Sequence, residues 1–233
     1  MSKLQKSGLI VILVLLFDQI LKIWIKTNMT MGEEFSVIGK WFIIHFVENN
    51  GMAFGFEFGG DYGKIFLSLF RVAAVFGIGY YILKLVKKDI PMGFIACASL
   101  IFAGAIGNII DSAFYGLIFN DSYGHVASLF PPGGGYASFL HGRVVDMFYF
   151  PIFSGIYPNW IPFLGGSDFQ FFRPVFNVAD SSISIGIFSI IIFYRREFSE
   201  LTSKEYVQSS DEKTLTEEAA IAPEKESNET GHM

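Results

Sequence analysis

Four long apolar stretches set the pattern of this chain, and polar or mixed segments separate them. The predicted membrane spans are residues 8–27, 64–86, 92–112 and 177–195. About 20 residues at roughly 1.5 Å per residue cross the hydrocarbon core of a bilayer, so each stretch is long enough to span one. The pattern therefore predicts an integral membrane protein, mainly α-helical, with four transmembrane helices.

The first apolar stretch also fits a second interpretation, that of a cleavable signal peptide, because Lys3 and Lys6 precede it. Against this interpretation, no small-x-small cleavage site follows, and Asp18 and Lys22 interrupt the run. These two residues are four apart, so they lie on one helical face with the acid N-terminal to the base. We predict an ion pair between them with a structural role, which lets one helix carry both charges near an interface.

The segments between the spans, residues 28–63 and 113–176, differ in pattern. Residues 41–49 are rich in β-favouring side chains and predict a short strand. A glycine-rich loop follows at 49–60, where glycine permits positive φ and close backbone approach. The longer segment is dense in Tyr, Trp and Phe, which are typical of a membrane–water interface.

Basic residues at the ends of the spans predict the orientation of the chain. The ends that would share one side carry Lys3, Lys6, Lys84, Lys87, Lys88, Arg195 and Arg196. The positive-inside rule makes that side cytoplasmic, so we expect both termini inside and the two intervening segments outside. Residues 199–233 are polar and acid-rich, which predicts a disordered cytoplasmic tail after a membrane domain of residues 1–198.

Composition narrows the class of protein. The chain is 52% hydrophobic and 17% aromatic, which is too apolar for an ordinary soluble domain. Much of the acid behind the formal net charge of −5 lies in the tail, so we expect no nucleic-acid partner. Cys97 is the single cysteine, which excludes an intrachain disulfide and a zinc site built on cysteines.

Two lone aspartates are the strongest candidates for chemistry. Asp146 lies in a short apolar run, and Asp180 opens the last apolar stretch. A carboxylate in apolar surroundings is costly unless it is paired, solvated or protonated. Two close carboxylates do not ionise together easily, so such a pair can take a proton from water and give one to a carbonyl oxygen or a leaving amine. The protons belong to the pair, so neither residue is assigned the acid role.

Other roles for these acids remain open. Asp180 could do no more than cap its helix, because a carboxylate at a helix start accepts from free N–H groups. Acids within membranes also serve ion or proton transport, although Asp111, Asp146 and Asp180 are predicted to cluster at one end of the bundle. The sequence has no HExxH pattern and no compelling Ser–His or Cys–His pair, which argues against a zinc, serine or cysteine protease.

Five motifs occur in order over most of residues 10–195. They are DQILK at 18–22, NNGMAFG at 49–55, GAIGNIIDS at 104–112, GRVVDMF at 142–148 and FNVAD at 176–180. Together they resemble the lipoprotein signal peptidases, the signal peptidase II family of bacterial integral-membrane aspartic peptidases. Any one motif would be weak, whereas five in family order on the predicted spans are specific.

The resemblance implies four transmembrane helices with a small extracytoplasmic β-rich cradle and extended outer loops. It implies Asp146 and Asp180 as the catalytic dyad, and Asp18 and Lys22 as structural supports. The substrate-binding or supporting positions that it implies are Asn49, Gly51, Ala53, Phe54, Asn108, Asp111, Arg143, Val144, Asn177 and Ala179.

The resemblance also implies a substrate and a location. The family cleaves diacylglyceryl-modified prolipoproteins just before the lipidated cysteine, and it needs no metal or organic cofactor. We expect a monomer in the bacterial cytoplasmic (inner) membrane, in contact with membrane lipid, with its active site at the outer leaflet. A transporter that uses the same acids and a catalytically inactive binder of lipidated peptides remain as alternatives.

The chain departs from the family pattern at Ser112, where the family usually has an arginine. That arginine would be expected to orient substrate or neighbouring carbonyls. Arg143 or Arg173 is a hypothetical replacement.

The chain also departs from the family in the length of its outer segments. Asp111 and Asp146 are much further apart than is typical. We expect the extra residues, roughly 117–141, to form an enlarged outer structure with the 151–173 loop. This structure would act as a lid or as a surface for a partner.

Overall fold

The computed structural model describes residues 1–49, 60–171 and 173–203. Three of the predicted site residues, Gly51, Ala53 and Phe54, lie outside these ranges. The helices are α1 (Lys3–Asn28), α2 (Gly60–Leu85), α3 (Met92–Ile110), α4 (Gly116–Ile118), α5 (Val178–Phe193) and α6 (Arg195–Ser203). The strands are β1 (Glu34–Ile38), β2 (Phe42–Asn49), β3 (Val144–Tyr149), β4 (Phe153–Ile156), β5 (Asp168–Phe171) and β6 (Val175–Phe176).

Long apolar helices form where the sequence predicts spans. Among the described residues, three helices are long and apolar enough to cross a membrane, namely Lys3–Asn28, Ser68–Leu85 and Met92–Ile118. Helix α5 alone is too short to be counted as a span. It is long and apolar enough only when it is taken together with α6, and a break in the helix separates the two. The expected class, an integral membrane and mainly α-helical protein, is confirmed, and the count of four spans stays a prediction.

The third helix continues beyond residue 112, where the pattern predicts its end. A π-helical turn, Asp111–Tyr115, carries the chain from α3 into α4. From sequence, the charge of Asp111 indicates that the apolar helix ends near this residue. In the structure, this carboxylate is buried and lies 2.8 Å from Nζ of Lys22. Because a paired acid does not interrupt the packed surface, the later side chains of Tyr115 and Phe119 are buried as well.

Small residues on α3 let its neighbours approach closely. A Cβ added at Gly104 would collide with the backbone oxygen of Ala179 and lie 2.6 Å from Oγ of Ser182. One added at Gly107 would lie 2.7 Å from Oδ2 of Asp18. Glycine at these two positions therefore brings α1 and the start of α5 directly against α3.

Strands β1, β2, β3 and β6 form an antiparallel sheet in the order β1-β2-β3-β6. Strand β2 confirms the prediction at 41–49, and the sheet confirms the small β-rich part of the expected fold. In the pairing of β2 with β3, Asp146 lies opposite Val47, and Val144 lies opposite Asn49. The main hydrophobic core joins this sheet to α1 and the end of the third helix and consists of Ile25, Met29, Ile44, Phe46, Tyr115, Phe119, Ala127, Val145 and Met147.

The extra segment 117–141 returns along the end of the third helix. The N–H of Ala137 donates to the carbonyl of Gly116 at 2.9 Å, and that of Gly142 donates to the carbonyl of Ser112 at 2.8 Å. The returning chain then enters β3 directly. The longer segment therefore helps to place the strand that carries one of the two candidate aspartates.

The loop at 151–173 contains a β-hairpin. Strands β4 and β5 pair antiparallel, and the rings of Phe153 and Phe171 stack with their centroids 4.6 Å apart. Between the strands, Trp160 and Phe163 are exposed. The hairpin thus presents the aromatic side chains that favour a membrane–water interface.

The chain divides into two compact units, Met1–Ser189 and Ile190–Met233. In the second unit, the described residues form the end of α5 and helix α6, where Arg196 pairs with Glu200 at 3.0 Å. The predicted disordered tail begins at 199, but residues 199–203 belong to α6. A charge pair four residues apart supports this additional turn of helix, and the remainder of the predicted tail lies outside the described residues.

Candidate active site

Asp146 lies within β3, and only 3% of its surface is exposed. Its Oδ1 accepts a hydrogen bond from Nδ2 of Asn177 at 2.7 Å, and its Oδ2 accepts one from Nδ2 of Asn49. Burial and, to a smaller extent, the nearby charge of Asp180 together raise the pKa of Asp146 to about 8, against the opposing effect of Lys22. This carboxyl group therefore keeps its proton at a pH where an exposed aspartate has lost it.

Asp180 lies in the first turn of α5, where it forms a reciprocal cap with Asn177. The N–H of Asp180 donates to Oδ1 of Asn177 at 2.8 Å, and the N–H of Asn177 donates to Oδ2 of Asp180 at 3.3 Å. This arrangement is a capping box, so Asp180 does cap its helix. Its second oxygen, Oδ1, accepts from Nδ2 of Asn108 at 2.8 Å. Capping therefore occupies Oδ2 of Asp180, and Oδ1 is held by the side chain of Asn108 in α3.

Two asparagines join the two aspartates in one hydrogen-bond network. Besides Asp146, Nδ2 of Asn177 donates to Oδ1 of Asn108 at 3.1 Å. An amide nitrogen carries two hydrogens, so both hydrogens of Asn177 are used. The structure thus brings together five of the predicted site residues from β2, β3, α3 and α5, namely Asn49, Asn108, Asp146, Asn177 and Asp180.

A buried ion cluster lies next to this network. Nζ of Lys22 lies 2.9 Å from Oδ2 of Asp18, 2.8 Å from Oδ2 of Asp111 and 3.1 Å from Oδ1 of Asn108. These contacts use all three hydrogens of the ammonium group. The predicted pair of Asp18 and Lys22 is present, and both side chains are fully buried within the protein. The reason is Asp111, which supplies a second buried partner for the same lysine.

Asp18 also connects α1 to the start of α5. Its Oδ1 accepts from the backbone N–H of Ala179 at 2.9 Å. Ala179 is the second residue of α5, and an N–H at this position has no acceptor within the helix. A carboxylate at a helix N-terminus is also favoured by the helix dipole. The contact therefore fixes the first turn of the helix that carries Asp180.

Sequence reasoning missed Gln19, which lies inside the DQILK motif. Its Nε2 donates to Oδ1 of Asp111 at 3.0 Å and to Oδ2 of Asp18 at 3.1 Å, and its Oε1 accepts from the hydroxyl of Tyr115 at 3.1 Å. Asp111 in turn accepts from the N–H of Val145 at 3.3 Å. The buried ion cluster is therefore tied to β3 one residue before Asp146.

Arg143 lies in a second ion cluster. Its Nη1 contacts Oε2 of Glu48 at 3.2 Å, and Glu48 also pairs with Lys26, whose side chain is fully buried. Glu48 directly precedes Asn49 in β2, so this cluster holds the end of the strand that presents Asn49 to the site. Sequence reasoning missed Lys26 and Glu48. The available signal was the spacing of Lys22 and Lys26, which are four apart and share a helical face.

The departure at Ser112 is accommodated locally. The hydroxyl of Ser112 is buried and donates to the carbonyl of Asn108 at 3.0 Å. Of the two hypothetical replacements for an arginine here, Arg143 pairs with Glu48 and Arg173 is exposed. Val144, another predicted site residue, is buried in the sheet.

The arrangement of Asp146 and Asp180 suits general acid–base catalysis in which water is the nucleophile. One carboxyl group is buried with a raised pKa, and a second lies in the same hydrogen-bond network. Such a pair can hold one proton between its members, so that one member accepts a proton while the other donates. In the part of the chain that the structure describes, no three His, Cys, Asp or Glu side chains are grouped as metal ligands.

Comparison with known proteins bears on the class of this chain. Residues 10–195 match the family model described as signal peptidase (SPase) II. A lipoprotein signal peptidase of Porphyromonas gingivalis is 54% identical over 191 residues, which cover 82% of this chain and 83% of that protein. One of Amoebophilus asiaticus is 35% identical over 99% of this chain and 96% of its own length. A solved structure of a bacterial membrane enzyme has a TM-score of 0.56 and 28% identity over 84% of this chain and 91% of that chain.

The fold and these matches define an aspartic peptidase of the membrane. Within that class, the chain belongs to the signal peptidase II family. The resemblance drawn from the five motifs is thereby confirmed. The roles of the individual site residues stay predictions.

Proposed function

We propose that this protein removes the signal peptide from diacylglyceryl-modified prolipoproteins by cutting the peptide bond N-terminal to the lipidated cysteine. Its family and its relatives, which are named lipoprotein signal peptidases, support the reaction. The observation that carries the assignment of residues is the hydrogen-bond network that joins Asp146 and Asp180 through Asn177 and Asn108. In this proposal, the two aspartates form the catalytic dyad.

The reaction begins with one proton shared by the dyad. The ionised carboxylate takes a proton from a water molecule, and the water oxygen attacks the scissile carbonyl carbon. The protonated carboxyl group gives its proton to the carbonyl oxygen, which forms a neutral tetrahedral intermediate. When the intermediate breaks down, the dyad gives its proton to the leaving amine nitrogen, one hydroxyl of the intermediate returns a proton to the other carboxylate, and the C–N bond breaks. The pair then again holds one proton. No metal or organic cofactor takes part in this sequence.

The supporting residues keep the dyad in place during this sequence. Asn49 and Asn177 hold the carboxyl group of Asp146 from two sides, and Asn108 holds that of Asp180. Asp18, Lys22 and Asp111 fix the helices and the strand on which these groups lie. The reacting groups therefore need little rearrangement when substrate arrives, which favours catalysis by positioning. Gly51, Ala53 and Phe54 would add substrate contacts from a loop outside the described residues.

The protein is placed in the bacterial inner membrane by its apolar helices and its family. We further propose that both termini are cytoplasmic and that the dyad lies at the outer leaflet, because basic residues concentrate at the opposite ends of the spans. The exposed aromatics of the 151–173 hairpin, such as Trp160 and Phe163, would contact lipid headgroups there. The protein acts as a monomer in this proposal, with lipid and the lipidated precursor as its partners.

Mass spectrometry of the cleavage products tests the proposed reaction. The full-length protein in detergent or lipid is incubated with a diacylglyceryl-modified prolipoprotein and, as a control, with the same precursor lacking the lipid. We expect a released signal peptide and a mature product that begins at the lipidated cysteine, from the lipidated precursor alone. Cleavage at another bond would contradict the proposed specificity. Tight binding with no cleavage would favour an inactive binder, and charge movement with no cleavage would favour a transporter.

A further inference from the structure

The extra segment 117–141 carries two polar side chains, those of Ser122 and Tyr136, that the proposed mechanism does not use. Ser122 is fully buried, and Tyr136 packs, partly buried, against the main hydrophobic core. Both side chains belong to the second ion cluster, the one formed by Lys26, Glu48 and Arg143. A buried polar network in which every member is satisfied rigidifies the elements that it joins. The contacts of these two side chains therefore indicate which parts of the fold the segment positions.

Tyr136 contacts the residue that leads into β3. Its hydroxyl oxygen accepts a hydrogen bond from the backbone N–H of Arg143 at 2.6 Å. Its ring centroid lies 4.9 Å from the guanidinium carbon of Arg143 and 5.1 Å from Nζ of Lys26. The face of an aromatic ring attracts a cation within about 6 Å. One ring therefore stabilises two cations that repel each other, and its hydroxyl fixes the backbone at the start of the strand.

Ser122 contacts the carboxylate that binds both cations, that of Glu48. Oε1 of Glu48 pairs with Nζ of Lys26, and Oε2 lies 3.2 Å from Nη1 of Arg143. The hydroxyl of Ser122 donates to Oε1 of Glu48 at 3.0 Å and accepts from Nζ of Lys26 at 2.8 Å. A serine hydroxyl has one donor hydrogen, and here that hydrogen is used. The segment therefore fixes Glu48 as well as Arg143.

Glu48 and Arg143 lie at the facing ends of two neighbouring strands. Asn49 follows Glu48 at the end of β2. Its partner across the sheet is Val144, which follows Arg143 at the start of β3. The side chain of Asn49 donates to Oδ2 of Asp146. Holding Glu48 and Arg143 together therefore fixes the position of this amide relative to the carboxyl group of Asp146.

The segment is itself attached closely to the third helix. The N–H of Gly142, just after the segment, donates to the carbonyl of Ser112 at 2.8 Å, and the N–H of Tyr136 donates to that of Phe119 at 3.0 Å. A Cβ added at Gly142 would collide with the backbone oxygen of Asp111. Only glycine permits so close an approach of two backbones. These contacts suit a fixed support, whereas a lid must open and close over its site.

We propose that segment 117–141 is a positioning element of the active site, in which Tyr136 and Ser122 hold the facing ends of β2 and β3 and thereby maintain the contact of Asn49 with Asp146. Neither Tyr136 nor Ser122 touches the substrate or the reacting atoms. They act through Arg143 and Glu48, the residues next to the paired ends of the two strands. This inference rests on the proposed peptidase function, since it concerns the same dyad.

The first test measures kcat and KM for cleavage of the lipidated precursor by full-length Tyr136→Phe. Phenylalanine keeps a ring against the two cations and removes only the hydroxyl that accepts from the N–H of Arg143. We expect kcat to fall by about 10-fold, because a displacement of about 1 Å far from the chemistry can cost up to about 10²-fold. KM should not change, since the hydroxyl makes no contact with substrate.

Tyr123→Phe is the matched control for the loss of a hydroxyl. Tyr123 lies in the same segment, and its ring centroid is 5.2 Å from the guanidinium carbon of Arg143, but the side chain is exposed. Phenylalanine keeps this ring as well. We therefore expect Tyr123→Phe to cleave with the kcat and KM of wild type.

A double-mutant cycle with Asn49→Ala tests the route of the effect. Asn49→Ala removes the amide that donates to Asp146, so the contact that Tyr136 is proposed to maintain is already lost. We expect Tyr136→Phe to lower the single-turnover rate by less than about 2-fold in this background, against about 10-fold in wild type. If Asn49→Ala is too slow to measure, the separate effects on kcat and KM decide the test.

Three results would overturn the inference while leaving the proposed function intact. One is a wild-type kcat for Tyr136→Phe. The second is a raised KM with an unchanged kcat, which indicates a contact with substrate of the kind a lid makes. The third is an equal loss of rate with and without Asn49→Ala, which indicates a structural role elsewhere in the fold. If wild type does not cleave at all, the proposed function fails instead.

Thermal unfolding in detergent identifies a variant that does not fold. If Tyr136→Phe is unfolded, Ser122→Ala replaces it, because this substitution removes the hydroxyl that contacts both Lys26 and Glu48. The same fall in kcat with an unchanged KM is expected. A wild-type kcat for folded Ser122→Ala, or a loss that is equal in the Asn49→Ala background, would then overturn the inference.

Discussion

The side-chain amide of Asn177 donates a hydrogen bond to Oδ1 of Asp146 at 2.7 Å, while the same residue caps the helix that carries Asp180. One side chain therefore sets the position of β3 relative to the first turn of α5. This relationship is the structural basis for treating the two aspartates as a pair. It also separates two roles of Asn177, capping and positioning, which can be tested with different substitutions.

Asn177→Ser should retain the helix cap and lose the amide that holds Asp146. Serine is as good an N-cap as asparagine, so we expect an unfolding temperature close to that of wild type. Loss of the amide should lower kcat on the order of 10²-fold, because small displacements of catalytic groups have effects of this size. Asn177→Ala removes the cap as well and should cost about 1 kcal/mol of stability more. Equal activity of wild type and the serine variant would contradict a positioning role for the amide.

The pKa of Asp146 predicts how cleavage depends on pH. Burial, with the charge of Asp180, raises this pKa to about 8, so the shared proton should leave the pair as the pH rises past that value. We expect kcat/KM to decline above about pH 8, since the acid that protonates the carbonyl oxygen is then lost. A kcat/KM profile that stays flat to pH 10 would show that no carboxylic acid is needed.

The same pKa also predicts an effect on stability. In the unfolded chain Asp146 ionises near its ordinary value of about 4, whereas in the folded protein it keeps its proton to about pH 8. The folded state therefore binds one more proton than the unfolded state across this range, and its stability falls as pH rises through it. Asp146→Asn should remove this loss. Its unfolding temperature relative to wild type should increase between about pH 5 and pH 8, and a constant difference would argue against the raised pKa.

The second ion cluster predicts strong coupling between Lys26 and Glu48. Both side chains are fully buried. Removing Glu48 leaves the charge of Lys26 without this carboxylate, whereas removing Lys26 leaves Glu48 with Arg143 as its partner. We expect Glu48→Met to cost about 3–5 kcal/mol and Lys26→Met to cost less, and we expect the double substitution to cost less than the sum. Denaturant unfolding in detergent would measure all three. Arg196→Gln, which breaks an exposed pair in α6, is the control and should change little. Strictly additive losses would rule out direct coupling of the pair.

Close packing of α3 against α5 predicts different effects of alanine at two glycines. At Gly104 an added Cβ meets the backbone of Ala179, whereas at Gly77 in α2 it meets nothing within 4 Å. We expect Gly104→Ala to destabilise by about 1–3 kcal/mol and to reduce cleavage, since it displaces the first turn of α5. Gly77→Ala should be neutral or slightly stabilising. Similar unfolding temperatures and rates for the two variants would mean that α3 and α5 are not in tight contact.

The helices and the family were predictable from the sequence because the bilayer imposes a simple rule. A helix that crosses lipid must be long and apolar, so α1, α2 and α3 stand out by length alone. The strand at 41–49 was predictable from its β-favouring residues. The ion pair between Asp18 and Lys22 was also predictable, because a spacing of four places two side chains on one helical face.

The rest of the site depends on contacts between residues far apart in sequence. Strand β3 is a short apolar run, which hydrophobic periodicity does not distinguish from a segment of helix. The pairing of Lys26 with Glu48 requires α1 and β2 to meet, and only the fold brings them together. The continuation of the third helix beyond Asp111 was missed because that charge is neutralised by a lysine from another helix. Sequence patterns identify charges within one element and do not reveal partners supplied by another.

The most direct test of the two-aspartate account is the single-turnover rate of precursor cleavage by wild type, Asp146→Asn and Asp180→Asn. Each asparagine keeps the size of the side chain and removes its ability to exchange a proton. The account predicts that both variants fold, bind the lipidated precursor and cleave it on the order of 10³-fold more slowly or not at all. Cleavage at the wild-type rate by either variant would contradict the assignment of the dyad.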